Sequence, residues 1–309
     1  MADIVLHHYP ASPFAEKIRL GLGLKGLAWK SVIIPMVMPK PDLIPLTGGY
    51  RKTPVMQIGA DIYCDTQLIL RELERRHPAP SFYPDGAAGL ADALAFWAEK
   101  FMFGPAVGVA FALGKTDGRF DDSFKADRAK FSGRDFDVAK MKAALPKLLD
   151  QLRAHLAHLD TMLGDGRKFL LGDKPSLADL APYHCLWFIA QNAGRDAPPL
   201  KDLPHLREWM KRVAALGHGK PSEIDGKAAL EVARQAKPET RQAADPADPE
   251  GRKPGTMVSV VPDDTGRDPV VGELVASSAQ EIVVKRNDPM VGEVMVHFPR
   301  AGFIVNAAK

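Results

Sequence analysis

The sequence predicts an α/β domain followed by an all-α domain, with a small β-rich extension at the C-terminal end. Three observations carry this. Short apolar runs alternate with helical periodicity over residues 1–79, and from residue 88 to 236 apolar side chains recur at helical spacing. After a polar, Pro-rich stretch at 237–255 the period changes to that of strands. A chain of 309 residues is also long for a single core. The expected division is therefore 1–79, 88–236, a flexible linker at 237–255 and a small β domain at 256–309.

Taken in order, residues 4–8 (IVLHH) read as a short buried strand and 14–23 as a helix. Pro13 falls at the first helical position, where its missing N–H costs nothing. Phe14, Ile18, Leu20 and Leu22 supply the apolar face, and Gly26 is placed to end the helix. Residues 29–34 form a second strand, followed by a loop rich in Pro and Gly. Residues 54–59 and 61–64 then make a hairpin-like pair turning at Gly59-Ala60-Asp61, and a helix runs from Asp65 or Thr66 to about Arg76. Residues 78–89, PAPSFYPDGAAG, are a connection by composition.

Beyond it, residues 90–103 are helical, with Gly104-Pro105 expected to interrupt them. Residues 117–137 are more polar, with a break at Gly133, and 141–163 form a long amphipathic helix through Leu145, Leu148, Leu149, Leu152, Leu156 and Leu159. Ser176 and Asp179 have capping-box spacing, which opens a further helix. Strands follow at 257–261, 270–276, 281–285, 292–298 and 303–305. So few short strands are marginal alone and are expected to lean on the rest of the chain.

Composition narrows the function. A formal charge of +3, with no Lys/Arg run interleaved with aromatics, argues against nucleic acid as a partner. The two cysteines, Cys64 and Cys185, and the lack of a basic-then-apolar leader point to a reduced, cytoplasmic protein. No apolar run is expected to cross a bilayer, since 170–190 is broken by Asp173, Lys174, Pro175 and Asp179.

Chemistry concentrates at residues 4–19. An apolar strand runs into a Pro-rich turn that places Ser12 at a helix start. A hydroxyl there faces unpaired N–H groups and the positive end of the helix dipole, which suits an anion such as a thiolate. By itself such a serine is an N-cap.

The surrounding residues say more. Ser12-Pro13-Phe14 with Arg19 and Lys25-Gly26, then Thr53-Pro54-Val55, then Asp65-Thr66, resemble the thioredoxin-like N-terminal domain of the serine-type cytosolic glutathione S-transferases. The likeness covers about residues 3–216 and leaves the β extension outside. It implies glutathione as co-substrate, with Ser12 donating to sulfur and lowering the thiol pKa. Tyr9, near the end of the first strand, is the rival activator; of His7 and His8 one must face the interior and reads as a hydrogen-bonded core group. A cis Pro54 would free the Thr53 backbone to pair with the cysteinyl part, Asp65 and Thr66 would take the γ-glutamyl end, and Arg51 or Lys52 the glycine carboxylate.

The resemblance also implies an all-helical C-terminal domain and an apolar cleft between the domains for an electrophilic small molecule. Its candidate walls are Phe14, Trp97, Phe101, Phe103 and Phe111. A homodimer is implied, and no metal is assigned. Conjugation to an electrophile is the expected reaction; glutathione-dependent isomerase, peroxidase or ether-lyase chemistry, or a non-catalytic binding or scaffold role, are the alternatives.

Overall fold

The computed structural model describes residues 2–116, 118 and 120–308. Strand β1 (Ile4–His8) is buried along its whole length, with β2 (Ala28–Ile33) parallel on one side and β3 (Val55–Ile58) antiparallel on the other. Strand β4 (Asp61–Cys64) returns along β3. Helix α1 (Pro13–Leu24) makes the crossover from β1 to β2, a short α2 (Ile44–Thr47) precedes β3, and α3 (Thr66–Arg76) follows β4. This is the thioredoxin-like order. His7 stands opposite Val55, so the chain leaving β1 towards Ser12 and the chain entering β3 through Pro54 meet at one end of the sheet.

The helical part comprises α4 (Ala88–Trp97), α5 (Phe103–Leu113), α6 (Asp122–Ser132), α7 (Val138–Leu163), α8 (Leu177–Ala193), α9 (Pro198–Lys201) and α10 (Pro204–Ala214). The interruption expected at Gly104-Pro105 lies just before it. A π turn over Ala98–Met102, in which Phe103 N donates to Ala98 O, joins α4 to α5, and Pro105 lies in the first turn of α5, where its missing N–H costs little. Helix α6 ends at Gly133 in the left-handed conformation, φ 70°, as its sequence leads one to expect; Asp117, expected to begin it, lies outside the described residues.

The capping box opens α8. Asp179 Oδ2 accepts from the backbone and hydroxyl of Ser176, while Oδ1 accepts from Leu170 N and Trp209 Nε1, both at 2.8 Å. One apolar cluster runs from Leu6, Ile18 and Met56 through Leu156, Leu180 and Trp209, so both halves share a core. The continuous helical stretch Ala88–Leu113 is long and apolar enough by length and composition to cross a membrane, contrary to the expectation from sequence. Here it packs on α7 and α8 as a core helix.

The C-terminal part departs most from the expected plan. Strand β5 (Lys220–Glu223) adds to β2, and α11 (Gly226–Gln235) lies on the sheet, where Ala229 O accepts from Gln57 Nε2 at 2.9 Å. Residues 237–255, expected to be a flexible linker, are tied down: Glu239 N and Thr240 Oγ1 donate to Asp61 at 2.6 and 2.7 Å, and Ala243 N donates to Val275 O at 3.0 Å.

Strands β6 (Met257–Pro262), β7 (Val270–Ser277), β8 (Glu281–Asp288), β9 (Gly292–Pro299) and β10 (Phe303–Ala307) do not stand apart as a domain. β9 pairs in parallel with β4, giving one sheet in the order β10-β6-β7-β8-β9-β4-β3-β1-β2-β5. Ile62 and Val5 share a core with Val284, Val296 and Phe298. The reason is mutual. β4 would otherwise present unpaired backbone groups at an edge, and the added strands need that surface to bury their own apolar faces.

A buried imidazole fastens the joint. His297 stacks on Tyr63 at 4.3 Å and bonds Asp61 Oδ1 through Nε2 (2.9 Å) and Glu281 Oε1 through Nδ1 (2.7 Å). Burial opposes its charge, but the two carboxylates outweigh burial and raise its pKa above the ordinary 6.5. A raised folded-state pKa means that this stabilisation is fully present below 6.5 and is lost as pH rises through the elevated value. The free energy of unfolding of the wild type should therefore fall on the alkaline side relative to His297→Gln. Asp61→Ala, which breaks a buried pair, should destabilise by about 3 kcal/mol. Guanidinium titrations across pH measure both.

Candidate functional site

The chain leaving β1 turns through residues 9–11, closed by Ser12 N donating to Tyr9 O at 3.1 Å. Ser12 caps α1: its Oγ accepts from Ala15 N at 3.1 Å, and the residue is buried. That bond uses one of two lone pairs and leaves the hydroxyl proton for another group. The Tyr9 phenol lies within reach of the Ser12 and Arg128 side chains. Burial raises its pKa against the pull of Arg128, so it stays protonated.

Facing Ser12 across the end of the sheet, the Thr53–Pro54 peptide is cis. Beside it lies Lys40, which sequence reasoning did not single out. Its Nζ donates to Arg51 O at 2.9 Å and to Thr53 Oγ1 at 2.8 Å, and stands 5.9 Å from the Tyr9 ring. Lys40 is buried, and burial, with Arg128 and Arg51 adding, lowers its pKa to about 7. A lone cation held between Pro39 and Pro41 was the signal available in the sequence.

Asp65 adopts φ 73° and ψ 138°, a conformation rare outside glycine, and its carboxylate caps α3 by accepting from Gln67 N at 2.9 Å. Burial raises its pKa, Glu99 adds, and Lys52 and Lys17 oppose. Thr66 Oγ1 accepts from Lys17 Nζ at 3.2 Å, and the same ammonium reaches Glu99 Oε1 at 2.5 Å. His184 Nε2 stands 3.8 Å from Glu99. Helices α1, α3 and α8 and the π turn thus meet at one buried charge cluster. Burial pushes the Glu99 pKa up, but Lys17 and His184 prevail and hold it at about 2. Lys17, Glu99 and His184 carry no local signal, because each sits in an otherwise ordinary helical pattern.

Arg51 and Lys52, one of which is expected to meet the glycine carboxylate, are both paired within the chain. Arg51 is buried and pairs with Asp127 of α6 at 2.5 Å and with Asp268 at 3.6 Å, while Lys52 pairs with Asp264 at 2.5 Å. Those partners lie 76 or more residues along the chain, beyond the reach of any local pattern.

Of the expected cleft walls, Phe14 and Phe103 are brought together, ring centroids 4.8 Å apart, and both contact His184. Trp97 packs against His155 and His158 of α7, and Phe101 is 64% exposed. Phe111 belongs to a separate aromatic group with Phe120, Phe136 and Phe188. A crevice of about 550 Å³ beside that group, lined by Phe120, Phe136 and Lys142, does not include Ser12. Helical spacing gave these residues a common period without saying which of them face the groove.

A buried hydroxyl and two helix starts at one end of a sheet, beside a helical part, define a thioredoxin-like fold joined to a helical domain. Residues 6–81 match the glutathione S-transferase N-terminal domain and residues 142–212 its C-terminal domain. The crystal structure of a GST-like protein from Pseudomonas syringae is 40% identical over the whole of both chains, with a TM-score of 0.80. The chain belongs to the glutathione S-transferase family.

That full-length match includes the β extension. A glutathione S-transferase from Rhodospirillum rubrum, 22% identical, covers 69% of this chain and 88% of its own with a TM-score of 0.54. One from Methylobacillus flagellatus with glutathione bound, 19% identical, covers 71% of this chain and all of its own with a TM-score of 0.53. These two share the fold alone. No curated protein sequence matches the chain.

Because Arg51 and Asp127 are both buried, Arg51→Ala should destabilise the protein by about 3 kcal/mol and loosen α6. Denaturant midpoints with amide exchange in residues 122–132 test this. Unchanged stability with unchanged exchange would show that the pair is not what holds α6.

Proposed function

We propose that the chain is a glutathione transferase, an enzyme that binds glutathione, keeps its sulfur ionised and joins it to an apolar electrophile. The observation that carries this is the placing of Ser12, at the N-terminus of α1, at the same end of the sheet as Thr53–Pro54 and the start of α3. An extended tripeptide laid there would pair its cysteinyl backbone with Thr53. Its γ-glutamyl carboxylate would meet the free N–H groups of α3 and the Thr66 hydroxyl. With Arg51 held by Asp127, Lys40 is the cation best placed for the glycine carboxylate, joined by Lys52 once its exposed pair with Asp264 exchanges.

Ser12 would then donate its hydroxyl proton as a hydrogen bond to sulfur. The thiol loses its proton to solvent, and the thiolate lone pair forms the new C–S bond as the leaving group departs or the electrophile's double bond accepts the electrons. Tyr9, kept neutral by burial, is a second donor beside it. Phe14 and Phe103 would form the apolar wall. Holding both reactants within reach supplies much of the rate, and stabilising sulfur's charge supplies the rest.

A homodimer is the family expectation, and exposed Leu90 and Phe101 on one helical stretch offer apolar surface for a second copy. Two unbridged cysteines, both buried, suit a reducing cytoplasm. The pairing of Arg51 and Lys52 within the chain favours a second reading, a binding protein without turnover; retention on immobilised glutathione with no reaction towards a chlorodinitrobenzene would support it.

Ser12→Ala should raise the thiol pKa of bound glutathione by about 1 to 2 units and lower kcat/KM by roughly 10- to 100-fold. Tyr9→Phe should do less. Thiolate absorbance in the complex and initial rates check this, and equal values for wild type and Ser12→Ala would remove Ser12 from the mechanism. Since Lys40 loses its charge as pH rises through about 7, affinity for S-methylglutathione, which has no thiol to titrate, should weaken above that pH. Calorimetry on Lys40→Met should show a flat profile.

A further inference from the structure

The connection from β6 to β7 belongs to the extension, yet it ends over the groove. Asp264 pairs with Lys52 at 2.5 Å, Asp263 with Lys100 at 3.0 Å and Asp268 with Arg51 at 3.6 Å. Gly266 N donates to Phe131 O of α6 at 2.8 Å, and at φ 63° the glycine passes so close that a Cβ would stand 2.7 Å from the Phe131 ring. Helix α6 is tied down in turn: Asp127 accepts from Met38 N at 3.0 Å and from Arg51, and Arg128 Nη2 donates to Met36 O at 3.0 Å. Loop and helix are therefore joined to each other above the segment that carries Arg51, Lys52 and Thr53.

Arg51, Lys52 and Lys100 each have a carboxylate of this chain where a ligand's carboxylate would be attracted. We infer that residues 263–268, together with α6, form an acidic clasp that closes the groove by standing in, at Lys52, for the glycine carboxylate of the tripeptide. Binding glutathione and opening the clasp are then one exchange of ion pairs. The inference rests on the reading of the groove as a glutathione site.

Exposure sets where the clasp opens. Lys52 and Asp264 are 18% and 44% exposed, and Lys100 and Asp263 are 41% and 43%, whereas Arg51 and Asp127 are 2% and 8%. Pairs that water reaches exchange partners readily, while a buried pair does not. The outer pairs are the opening edge, and Arg51–Asp127 is the anchor that stays.

The test compares wild type with the double variant Asp263→Asn, Asp264→Asn, which keeps side-chain shape and removes the two outer carboxylates. Calorimetry with glutathione should give a Kd lower by about five-fold, since an exposed pair is worth a factor of roughly 1.4 to 5. Amide exchange over residues 263–268 of the wild type should quicken when glutathione is added. Glu273→Gln, which removes an acid paired with Lys285 on the neighbouring strand, should leave Kd unchanged.

An unaltered Kd in the double variant, equal tightening by Glu273→Gln, or slower exchange with glutathione bound would each overturn the clasp and leave the proposed function standing. No glutathione binding by either wild type or double variant would overturn both.

Discussion

Antiparallel pairing of β1 with β3 is the constraint on which the groove depends. With His7 opposite Val55, the turn after β1 and the turn before β3 must lie side by side. A slip of one residue would send every side chain of β1 to the other face and separate Ser12 from Thr53. The register is strongly held because β1 is buried along its whole length and packs its alternate residues into different cores, Leu6 with the helices and Val5 with the extension. The helix starts at Ser12 and Asp65 then add free backbone donors at the same end, supplied by the termini of secondary structure.

The extension changes what this frame can do. Pairing β9 with β4 covers the sheet edge that would otherwise stay open, and the His297 cluster fixes the joint with charge buried on both sides. Added strands bring a loop beside Arg51 and Lys52, and with it the carboxylates of Asp263, Asp264 and Asp268. The extension is thus both a completion of the sheet and a contributor to the electrostatics of the site. The full-length likeness to the Pseudomonas syringae protein and the shorter match to the other two transferases fall on either side of this feature.

Charge near the groove is sorted by burial. Arg51, out of water, takes Asp127, because an unpaired guanidinium there would be far more costly than a pair. Lys17 and Glu99 meet for the same reason, with His184 beside them. Lys40 has only neutral oxygens as hydrogen-bond partners, and burial, with Arg128 and Arg51 nearby, lowers its pKa. Of these cations it is the one whose electrostatic need is least met inside the protein.

Much was legible in the chain itself. Ser12 before a proline-started helix, Thr53-Pro54 before an apolar strand, the Ser176–Asp179 box and the change of period near residue 256 are local patterns, and local hydrogen bonding and side-chain alternation dictate them. Tertiary structure alone decided which edge the last strands joined, since alternation marks a buried face but not its partner. It alone decided that Phe103 meets Phe14 while Trp97 packs on α7, because helical spacing leaves the direction of a face open. And it alone decided the fate of Arg51 and Lys52, whose partners lie 76 and 212 residues away: a charge chooses the carboxylate that folding brings near, and separation along the chain has no bearing on that distance.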